Sequence, residues 1–314
     1  MGRLLETLPN LSLARPGLDR RAERRLDPDL VTELLGDEGT RVVQLHGDRA
    51  EVVAGEDGFR LAVRSPTTQD GAGLVLFLGQ DGDGTAYLAV AGPPVEDADE
   101  PPQDAREPHE PQLRTLRQVG ADLGDRDAGL FATALALANW HAAHTHCPRC
   151  GAPTEPAQAG WLRRCTRDGS DHYPRTDVAI IVSVVDDQDR ILLARGAGWG
   201  EGRFSVLAGF LEPGESLAAA VAREVREEVG LEVRDVQYLG DQPWPFPSSL
   251  MVGFTARASG ADLRLQEAEI AEARWFTREE YRAVLASGRV GASTRLSIAR
   301  RLIERWLGHG LDET

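Results

Sequence analysis

The residues best suited to chemistry are Glu224, Glu227 and Glu228, carried by the stretch Gly209 to Leu231, GFLEPGESLAAAVAREVREEVGL. Gly209 and Gly214 bracket a tight loop that ends at Glu215, Ser216 suits a helix N-cap, and Gly230 falls where a helix stop belongs. Between them Leu217 to Val229 reads as a helix. Leu217, Val221 and Val225 form an apolar stripe, and Ala220, Glu224, Glu227 and Glu228 form a second stripe beside it. Residues three and four apart on a helix share a face, so the carboxylates can converge on one point. Arg223 and Arg226 read as lying off that face, so the acids are not neutralised in line. A solvated face would tolerate their repulsion at small cost. Clustered carboxylates without matched bases are also what a hard divalent cation such as Mg²⁺ or Mn²⁺ requires, because such ions take oxygen ligands. A cation held there would favour a polyphosphate, bridging its oxygens and activating water.

A second cluster is sulfur-rich. His146-Cys147-Pro148-Arg149-Cys150-Gly151 is a knuckle that points two thiolates at one site and suits zinc. The matching knuckle at Cys165 has the right spacing but ends in aspartate, Asp168. Asp168, His172 or His146 could complete a tetrahedron, or the segment could persist as a small β-ribbon that has lost its metal. With no open coordination position suggested, the role of such a zinc would be structural. Trp161 and Leu162 are expected to be packing residues of the ribbon. A third segment, Gln242-Pro243-Trp244-Pro245-Phe246-Pro247-Ser248-Ser249, is stiffened by its prolines. It fits a rigid surface turn equally well as an aromatic wall for a flat base, with Gln and Ser as polar contacts.

These groups need a frame. From Arg41 to Val90 short strand-like runs alternate with turns, giving a small β-rich domain with no catalytic constellation of its own. A short helix is expected within Leu26 to Leu35. Residues 92–112 are rich in proline and acid and read as an exposed loop or linker. Asp127 to His144 reads as a buried helix feeding the first cysteine. Val178 to Val185 is a continuous β-branched run, a buried strand, with Arg190 to Arg195 as its partner. Phe204 to Ala208 is the strand that delivers Gly209. Glu232 to Gly240, Leu250 to Ala258, Asp262 to Leu265 and Ala273 to Phe276 complete the sheet. Helices are expected over Arg278 to Ser287 and, amphipathic, over Ser293 to Leu307. The order suits an α/β/α sandwich with a mixed sheet.

Composition narrows the function classes. Of 314 residues 41% are hydrophobic, enough for real cores, and the net charge is −15 from 35 basic and 50 acidic residues. All the basic residues are arginine. An acidic chain argues against nonspecific nucleic-acid binding without excluding a local basic groove. The three cysteines, all between 147 and 165, suit a metal site or a reducing compartment rather than a disulfide framework. No apolar run reaches transmembrane length, the N-terminus lacks a signal core, and the C-terminus carries no recognised address. A cytoplasmic enzyme with no membrane partner is expected.

The spacing from Gly209 through Glu215 to Arg223-Glu224-Val225-x-Glu227-Glu228-x-Gly230-Leu231 resembles the Nudix hydrolase box at every fixed position. The QPWPFP segment, the cysteine knuckle, the Tyr173-Pro174-Arg175-Thr176-Asp177 lead-in and the helix around Ala299 to Glu304 further resemble the NADH pyrophosphatase subfamily, over residues 147 to 307. The resemblance implies a Nudix sandwich over 173–314 preceded by a helix and zinc-ribbon-like segment over 126–172, and the strand pattern leaves 1–125 as the β-rich N-terminal domain. It implies a homodimer that cleaves the pyrophosphate of NADH or NAD⁺ to AMP and nicotinamide mononucleotide, and that also removes NAD caps from RNA. Implied ligands for Mg²⁺ or Mn²⁺ are Glu224, Glu228, the Ala208 carbonyl and Glu269. Glu227 or Glu228 would position or deprotonate water, and Arg223 would orient a glutamate. Gln242, Pro243, Trp244, Pro245, Phe246, Pro247, Ser248, Ser249, Ala299 and Tyr173 would contact substrate, and Phe210 would stack on the nicotinamide or belong to the core. Two departures stand out: Asp168 replaces the fourth cysteine, and Gly160 stands where some members carry an acid. A Nudix hydrolase of ADP-ribose or another nucleoside diphosphate derivative is the rival enzyme. A non-catalytic NAD-sensing module is the rival of another class.

Overall fold

The computed structural model describes residues 7–14, 17–56, 58–95 and 110–311. The acidic loop expected over 92–112 therefore lies mostly outside the described residues, as do both chain ends. The chain divides into two compact units: residues 13–176 with 244–248, and the segment up to residue 12 with 177–243 and the chain from 249 on.

In the first unit a short helix, α1 (Leu30–Gly36), precedes strands β1 (Arg41–His46), β2 (Arg49–Gly55), β3 (Gly58–Leu61), β4 (Leu74–Gln80), β5 (Ala86–Gly92) and β6 (Gln112–Thr115). They form one mixed sheet in the order β3-β2-β1-β5-β4, with β6 also on β2 and β1 parallel to β5. Helix α1 starts later than expected, after a 3₁₀ turn over Ala22–Leu26. Helix α2 (Leu116–Val119) opens with a capping box, Thr115 and Gln118 each satisfying the other's backbone N–H. Helix α3 (Asp125–Ala143) buries Leu130, Phe131, Leu135 and Trp140, as its apolar run demands. A three-stranded ribbon follows: β7 (Thr154–Ala157), β8 (Leu162–Cys165) and β9 (Asp171–His172). Leu162 packs in it as expected, but Trp161 donates to the Phe77 carbonyl of β4 at 2.6 Å. Gly160, at φ +87°, lies so close to β4 that a Cβ would meet Leu76 at 2.4 Å, so no acidic side chain fits there.

The second unit is the expected α/β/α sandwich. Strands β10 (Asp177–Val185), β11 (Ile191–Gly196), β12 (Leu207–Phe210), β13 (Val233–Trp244), β14 (Ser249–Ala258) and β15 (Ile270–Phe276) form a sheet in the order β13-β14-β10-β11-β15, with β12 also on β10. β10 runs parallel to β14 and antiparallel to β11 and β12, which makes the sheet mixed. Alternate residues of the β10 run serve opposite faces. Ile180, Val182 and Val184 pack with Val221 and Val225 of helix α4 (Leu217–Val229). Ile181 and Val185 pack with Tyr281 of α5 (Arg278–Ala286) and Leu302, Ile303 and Trp306 of α6 (Ile298–Leu307).

Three sequence expectations fail locally. Asp262 to Leu265 is not a strand, since its backbone turns back to cap the end of α4 through Arg264 N–H to the Val229 carbonyl. The last helix begins at Ile298 rather than near Ser293, where Ser297 supplies the cap. The strand delivering Gly209 is Leu207–Phe210, shifted along from Phe204 to Ala208. One long-range feature had no local signal: Leu8 and Leu11 join this unit, with Leu8 N–H donating to the Leu239 carbonyl at 2.6 Å.

Candidate active site

Helix α4 begins at Ser216, whose hydroxyl accepts from Ala219 N–H at 3.3 Å, and ends at Gly230 with φ 72°. Its apolar stripe lies in the core and its acidic stripe faces β12. Glu224 rests against the backbone of Gly209: a Cβ there would fall 1.9 Å from the Glu224 carboxyl carbon. A side chain at Gly209 would displace the Glu224 carboxylate from the position in which Arg223 holds it.

Arg223 departs from the expected picture. It reaches onto the acidic face, and all five guanidinium N–H groups have acceptors. Nε and Nη2 hold Glu215 in a bidentate pair, both at 2.9 Å. Nη1 donates to Glu224 at 2.8 Å and to Glu227 at 3.2 Å, and Nη2 also donates to the Phe210 carbonyl at 2.9 Å. Helical spacing placed Arg223 off the face, but a long side chain spans that distance once Glu215 is folded back beside it. With every donor engaged, Arg223 orients carboxylates and the loop, and has no N–H left to clamp a phosphate.

Glu228 is the unusual member. It is only 7% exposed, and its Oε2 is buried without a hydrogen-bond partner. Burial, then the charges of Glu224 and Glu269, push its carboxyl up to about 8. Burial also raises Glu224, against the pull of Arg223 and with a push from Glu269. Glu269, exposed in the turn before β15, is therefore within electrostatic reach of both. Ala208 lies on β12 opposite Ile181, one residue before Gly209. Acids pressed together with an orphaned buried oxygen fit a hard divalent cation, whose charge would relieve both the repulsion and the desolvation. Phe210 projects from β12 with 60% of its surface exposed, so it is not a core residue. Tyr173, in the other unit, is 67% exposed.

The aromatic segment straddles the unit boundary. Its root, Gln242, is fully buried. The Gln242 amide donates to the Ser12 carbonyl at 2.6 Å and the Leu296 carbonyl at 2.8 Å, and its oxygen accepts from Ile298 N–H at 2.8 Å. That departs from the expectation of a polar substrate contact, because the side chain is fully buried and both amide hydrogens are donated to backbone carbonyls within its own unit. Ala299 is buried likewise. Pro243, Ser248 and Ser249 are half-buried, Pro245 is buried and Pro247 exposed. Trp244 and Phe246 meet edge to face at 4.9 Å. Two residues that sequence reading missed hold this tip: Asn139 on α3 and Arg117 on α2. They lie more than a hundred residues away, and no local pattern announces them.

The sulfur site is a pair of matching turns. Gly151 N–H bonds the Cys147 carbonyl at 2.9 Å, and Gly169 N–H bonds the Cys165 carbonyl at 3.1 Å, both glycines at φ 69°. Arg149 N–H and Arg167 N–H each point at the first sulfur of their turn, both at 3.4 Å. Asp168 thus occupies the position that Cys150 holds in the first turn. Ligand atoms of Cys147, Cys150, Cys165 and Asp168 all lie within 4.8 Å of one another. Ser170 donates to Asp168 Oδ1 through its N–H and hydroxyl, holding the carboxyl well below the usual range, while Oδ2 lies 3.9 Å from Cys147 Sγ. His172 and His146 are engaged instead with Ser170 and Thr145. Three thiols and an anionic carboxylate fit zinc. Among the described residues no helix is long and apolar enough to cross a membrane.

Residues 174–295 match the family model of the NUDIX domain. Residues 142–173 match the NADH pyrophosphatase zinc ribbon domain, and residues 38–140 the NADH pyrophosphatase-like rudimentary NUDIX domain. The chain is 40% identical over 313 residues to the NAD-capped RNA hydrolase NudC of Mycobacterium tuberculosis (strain H37Rv), covering 96% of each chain. It is 39% identical over 197 residues to the human NAD-capped RNA hydrolase NUDT12, which is 59% of this chain and 43% of that one. Among solved structures, a NUDIX hydrolase from Nitrosomonas europaea aligns with a TM-score of 0.43 at 21% identity, over 53% of this chain and 94% of that chain.

Proposed function

Because the chain belongs to the NADH pyrophosphatase family of the Nudix hydrolases, we propose that it hydrolyses the pyrophosphate of NADH and NAD⁺ and removes NAD caps from RNA. The products are AMP, or the 5′-phosphorylated RNA end, and the nicotinamide mononucleotide. The observation that carries this reading is Glu228, an unpartnered carboxylate oxygen buried beside two further acids at the end of a complete box.

The enzyme uses Mg²⁺ or Mn²⁺ at the box and structural zinc in the ribbon. A bound divalent cation offsets pyrophosphate charge and lowers the pKa of water. We assign its holding to Glu224, Glu228, Glu269 and the Ala208 carbonyl. Arg223 fixes Glu224 and Glu215 so that both keep their orientation as substrate arrives. Glu227, 55% exposed and held by a single Arg223 N–H, is the residue we read as taking the proton from the attacking water. Phe210 and the Trp244–Phe246 pair are read as aromatic surfaces for the bases, and Tyr173, Ser248 and Ser249 as further substrate contacts. Gln242 and Ala299 act from within, by holding the segment and the start of α6. Zinc is assigned to Cys147, Cys150, Cys165 and Asp168. We read the domains as 1–125, 126–172 and 173–314, and the protein as a cytoplasmic homodimer. Cysteines without a disulfide suit a reducing compartment.

Product analysis tests the activity. Incubated with Mg²⁺ or Mn²⁺, the protein is expected to convert NADH to AMP and reduced nicotinamide mononucleotide, and chelator to stop it. Cleavage of ADP-ribose with NADH left intact would keep the box chemistry and remove the role given to the aromatic segment. No cleavage of any of them would leave a binding module.

A further inference from the structure

The aromatic tip has a chemical difficulty. Pro243, Pro245 and Pro247 have no N–H, so the segment supplies few donors, while its carbonyls still need them. Asn139 meets that need from α3. Its single carboxamide nitrogen donates to the Pro245 carbonyl at 3.1 Å and to the Pro247 carbonyl at 3.2 Å. An amide NH₂ has two hydrogens, and both are used on alternate residues of the segment. From α2, the Arg117 guanidinium lies 3.9 Å from the centre of the Phe246 ring and 5.2 Å from that of Trp244. Both helices are themselves fixed, α2 by its capping box and α3 by its buried face.

We propose that Asn139 is a positioning residue for substrate binding, pinning the Trp244–Phe246 pair in its binding conformation, with Arg117 covering one ring face. The inference rests on the reading of that pair as a base-binding surface. It gives residues 113–143 a part in substrate selection although they carry no catalytic group. The box belongs to the other unit, so binding and turnover should separate.

The test compares Asn139→Asp and Asn139→Leu with Trp244→Ala, measuring KM and kcat for NADH and melting temperature. Asn139→Asp removes both donors and sets a carboxylate against two carbonyls, and Asn139→Leu removes them without charge. Both are expected to raise KM about tenfold, the equivalent of one or two lost hydrogen bonds, with kcat within about threefold. Arg117→Leu is expected to raise KM about two- to fivefold. Equilibrium binding of NADH by its own fluorescence, in a Glu228→Gln background, should weaken in step. If Trp244→Ala raises KM and both Asn139 variants leave it unchanged, the positioning role is overturned while the binding surface stands. If Trp244→Ala also leaves KM unchanged, the surface itself is lost and the inference with it. A fall in kcat with KM unchanged would likewise overturn it.

Discussion

The two large sheets follow the same path. In the first unit the order β4-β5-β1-β2-β6 has one parallel pair, β5 with β1. In the second the order β13-β14-β10-β11-β15 has one parallel pair, β14 with β10. Strand for strand, β1 corresponds to β10, β2 to β11, β4 to β13, β5 to β14 and β6 to β15. The sheets differ in that β3 pairs with β2 whereas β12 pairs with β10, and they differ most in one connection. Between β12 and β13 the second sheet carries the Glu215 loop and α4, whereas between β3 and β4 the first carries residues 62–73, with only a 3₁₀ turn at Asp70–Ala72. That shorter connection holds a buried Asp70 paired with a half-buried Arg64 at 2.6 Å, where the longer one holds a carboxylate cluster. The sheet is retained in both, and the longer connection carries Glu224 and Glu228, two of the groups proposed to hold the cation.

The comparison can be broken at several points. The largest effect is expected from Glu228→Gln, which should lower kcat by at least about 100-fold with the fold intact. Near-normal turnover would move the chemistry off α4. Next comes pH. In cation-free protein the folded state holds the Glu228 proton more tightly than the unfolded chain does. Stability should therefore be highest below about 4.5 and fall as pH rises through about 8, as far as this group contributes. Thermal melts in chelator should show that fall, Glu228→Gln should flatten it, and Mg²⁺ at pH 8 should reverse it. A fall of equal steepness in the variant would assign it elsewhere. Asp168→Ala should leave zinc substoichiometric after mild chelation, measured by metal analysis, while Asp168→Cys retains it. The smallest effect on activity is expected from Asp70→Asn. It should cost about 1–3 kcal/mol of stability and leave kcat unchanged, because the first sheet's connection has no catalytic duty.

Much of the second unit was legible because its signals are local. A cap, a stop and glutamates at helical spacing specify α4, and a β-branched run specifies β10 as a strand buried on both faces. The turns around Cys147 and Cys165 were readable from spacing alone. What escaped depends on distant partners. Arg223 could be placed on a helix but not aimed, since its direction is set by Glu215 across a loop. Gln242 read as a surface contact because prolines and aromatics surround it, whereas Ser12, Leu296 and Ile298 draw its amide inward. Asn139 and Arg117 lie in helices whose own patterns are fully explained by packing and capping. The shared strand path of the two sheets is a matter of pairing, which strand-by-strand reading does not reveal.

The most direct measurement is Mn²⁺ binding by electron paramagnetic resonance at pH 8, with zinc retained in the ribbon. Wild type, the Glu224→Gln/Glu228→Gln double variant and Asp70→Asn would be compared. Wild type and Asp70→Asn are expected to bind Mn²⁺ alike, and the double variant to lose the site. Retained binding in the double variant, or its loss in Asp70→Asn, would contradict the assignment of the cation to the α4 connection.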